Sequence, residues 1–199
     1  MSKVTIAGDV NGTGVFTIAA PNGNTNRTLT LPDAAGTMAL QGGAGVGKVL
    51  QVVSTTLTTG FSTAVNNSFN AVTGLTASIT PYNVTSKVMV FVTMTVGSDT
   101  NYLNAQLIKN GSVIAGAIAT AEGSRSLGTS AAWPTGAFGT YALAFNYLDS
   151  PATTSTTTYG VQIGNAGAAT LCINRSQADD NAASRTRGTS TITVMEIAA

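Results

Sequence analysis

The stretch that most constrains the fold is residues 86–96, which read SKVMVFVTMTV. In an extended strand, successive side chains point to opposite faces. One face would then be wholly apolar, formed by Val88, Val90, Val92, Met94 and Val96. The other would carry Met89, Phe91, Thr93 and Thr95. Such a strand favours a sheet with a core on one side and more protein on the other. We expect it to be the central strand of an antiparallel β-sandwich, with the Thr-rich outer half beside a subunit contact.

The rest of residues 48–199 repeats this theme in short alternating segments that are separated by Gly, Pro, Asn and Ser. The predicted strands are residues 49–58, 67–72, 75–80, 86–96, 103–109, 112–117, 139–147, 156–164, 170–174 and 189–197. Asn110-Gly111 predicts a tight hairpin turn, because both residues tolerate positive φ. This spacing of strands and turns is typical of an all-β sandwich or a jelly roll.

The charge content bears on the partners of the chain. Only 9% of residues are charged, whereas roughly a quarter is usual. A chain so poor in charge is expected to bury surface against copies of itself or a larger assembly. The net charge of +1 gives no electrostatic reason to expect nucleic acid as a partner. No apolar run approaches the roughly 18 residues of a membrane span, so membrane insertion is not expected.

The rarest residue types exclude several kinds of site. The sequence has no histidine and one cysteine, Cys172. A Ser-His-Asp triad and the histidine-containing zinc sites are therefore excluded. Cys172 lies in an alternating LCIN segment and is expected to be a buried free thiol. We predict no catalytic, cofactor-binding or metal-binding site, and hence no enzyme.

Residues 1–41 are predicted to be a separate β module, followed by a Gly-rich hinge at 42–47 and the main domain at 48–199. Three short strands cannot bury a core by themselves, so this module must dock on its own main domain, on two other copies or on a neighbouring protein. Its docking side chains would be Phe16, Ile18, Leu29, Leu31, Met38 and Leu40. The hinge with Lys48 resembles a phosphate-binding loop, but Val49 occupies the position that needs Ser or Thr. We interpret it as a flexible linker.

Two segments resemble known virion proteins. Residues 15–40, VFTIAAPNGNTNRTLTLPDAAGTMAL, resemble a short repeat of tailed-bacteriophage fibre and virion proteins. Residues 147–154, 158–163, 173–176 and 190–197 resemble a C-terminal domain that is widespread in phage fibre-like proteins. That domain is similar in design to the trimeric C1q/TNF jelly roll. The resemblance implies a jelly roll, a homotrimer, a role without catalysis and a location in the virion.

Two long loops carry the candidate contact residues. Residues 122–135 contain Arg125 and the single tryptophan, Trp133. The second loop, residues 175–188, contributes Arg175, Asp179, Asp180, Arg185 and Arg187. Long loops in a compact domain are usually functional. Trp133 and Tyr141 are candidates to stack on a glycan ring, and the alternative for Trp133 is a contact with a neighbouring protein.

The arginines and the aspartates of the second loop each allow two interpretations. The arginines can bind sugar carboxylates or phosphates, but we favour ion pairs with Asp179 and Asp180 of another subunit. The two aspartates, with Asn181, are also a weak candidate for a calcium site. Adjacent acids are more often a solvated turn, so we assign no metal there.

The expected function is that of a homotrimeric structural protein of a tailed phage, acting as a short tail fibre or host-attachment tip. Its partners would be itself, other virion proteins and a host surface glycan. The alternative is a capsid decoration (cement) protein that binds the major capsid protein through residues 1–41. A short chain that opens on the docking segment favours this alternative. A glycan-cleaving enzyme ranks below both, because no paired carboxylates stand out in the sequence.

Overall fold

The computed structural model describes residues 48–99, 102–134 and 136–199, together with residues 11–13, 17, 22–23, 26 and 28. The chain divides into two compact units, Met1–Leu40 and Gln41–Ala199. The fold below is that of the second unit. The hinge at 42–47 and the predicted docking side chains lie outside the described residues, namely Phe16, Ile18, Leu29, Leu31, Met38 and Leu40.

The described part of the second unit is all-β and antiparallel, as predicted. Its strands are β1 (Val49–Leu57), β2 (Phe61–Ile79), β3 (Lys87–Ser98), β4 (Leu103–Lys109), β5 (Ser112–Val113), β6 (Ser130–Ala132), β7 (Tyr141–Asp149), β8 (Thr157–Ile173) and β9 (Ser190–Ile197). A single 3-10 turn, Ala115–Ala117, follows β5. No helix in this described region is long and apolar enough to cross a membrane.

The strands form two groups that enclose one core. In the first group the order is β1-β9-β3-β7, and in the second β8 lies between β2 and β4, with β5 and β6 beside β4. The groups join where residues 96–98 of β3 pair with residues 171–173 of β8. Buried apolar side chains from both groups form one cluster, which makes the molecule a β-sandwich.

Strand β3 lies in the sheet as the sequence predicts, between β9 and β7. Val90 and Val92 are each 1% exposed, whereas Phe91, between them, is 41% exposed. The period-2 pattern therefore identified the inner face correctly. Cys172 on β8 is also a buried free thiol, as predicted, and burial raises its pKa.

Strands β2 and β8 are longer than the sequence indicates. The predicted break before residue 75 is not a turn, because β2 continues through it and pairs with β8 on both sides of it. Asn67 (φ 48°) and Gly74 (φ 85°) adopt positive φ at the two places where the register shifts. These residues therefore form bulges that absorb extra residues without reversing the chain. The predicted break at 165–169 is likewise spanned by strand.

The region around β5 and β6 differs from the prediction in two places. Residues 112–117, predicted as one strand, form only two strand residues before the 3-10 turn. Residues 130–132, predicted as loop, form β6 against the start of β4. The predicted hairpin is confirmed, because Asn110 (φ 50°) and Gly111 (φ 80°) connect β4 to β5.

The antiparallel order gives the sandwich two unlike ends. At one end, which we call the base, Val49 pairs with Ile197 and Val88 pairs with Asp149. Lys48, where the chain reaches β1, is also at the base, because its carbonyl accepts a hydrogen bond from Ala198. At the opposite end, which we call the loop end, lie the connections that follow β1, β3, β6 and β8.

Candidate functional site

Most of the predicted contact residues lie at the loop end. Trp133 directly follows β6. The connection between β8 and β9 carries the five charged candidates, Arg175, Asp179, Asp180, Arg185 and Arg187. Arg125 lies in the crossover between β5 and β6, where it lines the same pocket as Trp133. The strand order thus brings both long loops towards the end opposite Lys48.

The β8–β9 connection is anchored by Asn174. This residue is buried and adopts a φ of 63° directly after β8. Its amide nitrogen donates to the carbonyls of Leu57 (2.7 Å) and Thr59 (3.0 Å), and its amide oxygen accepts from Ser190 Oγ (2.6 Å). Asparagine adopts positive φ more readily than most residues, so it can cap β8 and hold neighbouring segments at once.

The charged side chains of this connection pair within one chain. Arg175 hydrogen-bonds Asp179, and Arg187 Nη2 lies 2.7 Å from the other carboxylate oxygen of Asp179. Arg185 donates to Asp180, with one hydrogen bond of 3.1 Å from Nη2. These are the partners that the sequence predicted, but the preferred pairing between subunits is not needed to explain them.

The two aspartates face arginines rather than a shared cation position. Hydrogen bonds from Arg185 lower the pKa of the Asp180 carboxyl. The Arg185 guanidinium also lies over the ring of Phe138, 4.0 Å from its centroid. In the described ranges of the chain, no three Cys, Asp or Glu side chains are grouped so that they could hold a metal ion. The cluster carries three guanidinium groups against two carboxylates.

An open pocket of about 340 Å³ lies where β4 begins and β6 ends. Its lining residues are Tyr102, Asn104, Ser124, Arg125, Ser126, Ala131, Trp133 and Ala166. The rings of Tyr102 and Trp133 are 5.7 Å apart between centroids and inclined by 31°. Trp133 is 63% exposed, so one face of this aromatic pair remains open to solvent.

The pocket is built by strand pairing and by a hydrogen-bonded loop. Leu103 pairs with Ala132, which places the adjacent Tyr102 and Trp133 side by side. Asn165 Nδ2 donates to the Tyr102 carbonyl at 2.8 Å. The wall formed by the crossover is fixed to β4, because Gln106 Nε2 donates to Leu127 O at 2.6 Å.

Arg125 is the charged side chain of the lining. Its Nη1 donates to the backbone carbonyl of Glu122 at 3.2 Å and lies 3.7 Å from the Glu122 carboxylate. Both side chains are largely exposed, 72% for Arg125 and 82% for Glu122. An ion pair of this length and exposure contributes little. The guanidinium therefore retains hydrogen-bonding capacity towards a bound anion.

Sequence reasoning missed part of this arrangement. Tyr102 and Asn104 were not singled out, because β6 was not predicted and nothing else placed them beside Trp133. Tyr141, proposed with Trp133 as a stacking residue, opens β7 and does not line the pocket. Phe138, 60% exposed beneath Arg185, was also missed.

A second surface is the outer face of the group β1-β9-β3-β7. The register places Val52, Met195, Met89 and Leu148 in one row across the four strands. Val52 and Leu148 are 53% and 42% exposed, and Phe91 stands in the next row. The other outward side chains are Val49, Ser54, Thr56, Lys87, Thr93, Thr95, Ala142, Ala144, Asn146, Thr191, Thr193 and Ile197.

Among these outward positions only Lys87, at the base, is charged.

Comparison of the chain with protein-family models and with curated proteins finds no match.

Proposed function

We propose that the chain is a non-enzymatic structural protein of a tailed-bacteriophage virion. It assembles as a homotrimer and serves as a short tail fibre or host-attachment tip. The observation that carries this proposal is the contrast between the ends of the sandwich. Lys48 lies at the base, whereas the long loops with exposed aromatic and charged side chains lie at the loop end. A domain held at one end and exposed at the other suits an attachment tip.

The homotrimer is supported by the outer face of β1-β9-β3-β7. A nearly charge-free face with an apolar row and an exposed Phe91 is unusual for a surface that remains in water. Further copies of the same chain are a suitable occupant, since in a three-fold ring each copy covers the next and a neutral face leaves no charge unpaired. Closed point-group symmetry is the usual arrangement of such copies.

The strand order supports the finer proposal that the sandwich is a jelly roll. The chain crosses between the two groups at six of its connections: β1 to β2, β2 to β3, β3 to β4, β6 to β7, β7 to β8 and β8 to β9. A jelly roll is built by strands that wrap repeatedly around a two-sheet core in this way. The resemblance of residues 147–197 to the trimeric C1q/TNF design points in the same direction.

A role without catalysis is supported by how the carboxylates are engaged. The sequence contains no histidine. Asp149 and Glu196 are buried and hydrogen-bonded inside the base, and Asp179 and Asp180 pair with arginines. A glycosidase needs two carboxyl groups facing one groove, and none of these four residues lines the pocket described above.

The alternative location is the capsid shell, where the protein would act as a decoration protein. Attachment through residues 1–41 and an outward-facing loop end suit this role equally well. Immunogold labelling of intact virions with antibodies against the full-length chain separates the two. We expect gold particles at the tail. Gold over the shell would establish the decoration role, and virions without label would overturn the virion proposal.

The trimer is tested by mass measurement in solution with light scattering. We expect Phe91→Asp to convert trimers to monomers that keep the wild-type circular dichroism spectrum, because a carboxylate would be buried unpaired in the interface. Val84→Asp is the matched control, since Val84 is 53% exposed in the turn at the base. A wild-type monomer at micromolar concentration, or an unchanged trimer in Phe91→Asp, would contradict the proposal.

A further inference from the structure

The pocket at Trp133 combines two features that recognise different parts of one ligand. Trp133 and Tyr102 supply an aromatic surface that is open to solvent on the Trp133 side. Arg125 supplies a guanidinium at the same pocket, and Asn104, Ser124 and Ser126 supply neutral polar groups. Small-molecule sites are typically apolar concave surfaces with a few placed polar groups.

The aromatic pair favours a ligand with a flat apolar face. Tryptophan and tyrosine present large rigid surfaces at low conformational cost, which suits stacking on a ring whose rim is polar. A pyranose has one such face, formed by axial C–H groups, and hydroxyl groups at its rim. The pocket volume of about 340 Å³ is at the low end of the range for small-molecule sites and fits one or two sugar rings.

Arg125 favours a ligand that carries a carboxylate. A guanidinium donates two parallel hydrogen bonds to a carboxylate, and such charge-assisted pairs are stronger than neutral hydrogen bonds. In the free protein its carboxylate partner is the exposed Glu122, at 3.7 Å. A ligand carboxylate at normal hydrogen-bond distance would therefore replace a weak contact with a better one.

We infer that this pocket binds a sugar acid, with its pyranose ring on Trp133 and its carboxylate on Arg125. The inference rests on the proposed attachment function, which supplies the reason for a glycan site at this place. A polyanion such as nucleic acid is disfavoured, since the pocket has a single cation with an acidic neighbour and the chain carries a net charge of only +1.

The single tryptophan makes the site directly observable. Trp133 is the only tryptophan in the chain, so any change in indole fluorescence reports on this pocket. The full-length protein is titrated with methyl glucuronide and, separately, with methyl glucoside at matched ionic strength. These two probes differ only at C6, which is a carboxylate in the uronide and a neutral hydroxymethyl group in the glucoside. We expect saturable fluorescence changes with the uronide at concentrations at least tenfold lower than with the glucoside.

Three variants and one control assign the roles. Arg125→Gln should weaken uronide binding roughly tenfold and leave glucoside binding unchanged, because the charge-assisted pair is lost. Glu122→Gln should strengthen uronide binding about twofold, because it removes the competing carboxylate and keeps the backbone carbonyl that Arg125 contacts. The control is Tyr82→Ala, which removes an exposed aromatic side chain at the base and should leave the affinity for both probes unchanged. Trp133→Ala is followed by calorimetry and should abolish binding of both probes.

Each outcome decides a separate point. Equal binding of the two probes, or unchanged uronide affinity in Arg125→Gln, would overturn the assignment of Arg125. A saturable response in wild type that persists in Trp133→Ala by calorimetry would place the ligand elsewhere, and no response at all would overturn the site. Sugar-acid binding together with labelling over the capsid shell would leave the site intact and overturn the attachment function. Tail labelling without sugar-acid binding would overturn the site and leave the attachment function intact.

Discussion

The base and the loop end of the sandwich both contain carboxylates, but they surround them differently. At the base, Asp149 is 5% exposed and accepts hydrogen bonds from Lys109 Nζ (2.8 Å) and the Tyr159 hydroxyl (2.6 Å). Asp149 belongs to β7, and its two partners belong to β4 and β8. These contacts therefore join the two groups of strands through the interior. Burial and the adjacent Asp149 raise the pKa of Tyr159, which keeps its hydroxyl protonated as a donor.

Glu196 is the second buried carboxylate of the base. It is fully buried on β9, and it accepts hydrogen bonds from Gln51 Nε2 (2.6 Å) and the Tyr82 backbone N–H (2.8 Å). Tyr82 lies in the turn between β2 and β3. Glu196 thus fixes that turn to β9. A buried charge persists only where its hydrogen-bonding capacity is met in this way.

At the loop end, Asp179 is 21% exposed between two arginines, whereas Asp180 stays near solvent. The Asp180 side chain is 54% exposed, and its partner Arg185 stacks on the exposed ring of Phe138. The Arg185 side chain is only 18% exposed, so its guanidinium is largely covered while the carboxylate remains solvated. Such a half-exposed ion pair contributes less to folding than a buried one. The comparison teaches that the buried charges of the base join the two groups of strands, whereas the Asp180 carboxylate at the loop end stays half exposed beside its arginine.

The largest expected effect is at Asp149. Asp149→Ala leaves the Tyr159 hydroxyl buried without its acceptor and Lys109 without its counterion. We expect the free energy of unfolding to fall by about 3 kcal/mol, at the lower end for a broken buried ion pair because Lys109 is 30% exposed. Urea denaturation monitored by circular dichroism measures this loss.

Asp149→Asn is the graded control for this prediction. Asparagine keeps an oxygen that can accept from Tyr159 but removes the charge that faces Lys109. Its loss of stability should therefore be smaller than that of Asp149→Ala. If Asp149→Ala unfolds at the wild-type urea concentration, the base is not held by this group and the contrast between the ends fails.

A smaller effect is expected from acid at Glu196. Burial opposes the charged form, but hydrogen bonds from Gln51 and from the Tyr82 backbone outweigh it and lower the pKa of Glu196 below its ordinary 4.5. A lowered folded-state pKa contributes stability that is present above pH 4.5 and is lost as pH falls through the folded-state value. The urea midpoint of wild type should therefore decline below about pH 4.5.

Glu196→Gln isolates this group from the other acids. The variant should be less stable at neutral pH by about 1–3 kcal/mol, because an amide nitrogen would face one of the two donors. Its urea midpoint should also fall less steeply with acid than that of wild type. Parallel pH profiles for the two proteins would show that Glu196 does not carry the acid sensitivity.

The sequence predicts the centre of this molecule better than its ends. The alternation around Val90 identifies β3 and its inner face, because a strand buried on one side requires a period of two. The Asn110-Gly111 turn is equally local, since its positive φ values are a property of those two residues. Both features follow from short-range chemistry that can be read directly.

The extent of β2 and β8 depends on partners far away in sequence. Gly74 marks a turn in a single-sequence interpretation, but pairing with β8 carries the strand through it as a bulge. The pocket depends on the same kind of contact, because Tyr102 meets Trp133 only after β6 pairs with β4. The candidates Trp133 and Arg125 were predictable from the loop, whereas Tyr102 was not.

The smallest expected effect is at Asp180 on the loop end. Asp180→Ala should lower the urea midpoint only slightly, because the carboxylate is half exposed and Arg185, although only 18% exposed, keeps its contact with the Phe138 ring. The ion pair is visible instead by carboxyl NMR, where the Asp180 pKa should lie below its ordinary 3.8 and return towards it in Arg185→Gln. Added salt should move the wild-type value in the same direction, since exposed pairs are screened. A loss of stability in Asp180→Ala comparable to that in Asp149→Ala would show that the loop end is part of the folding core, and the contrast between the two ends would then fail.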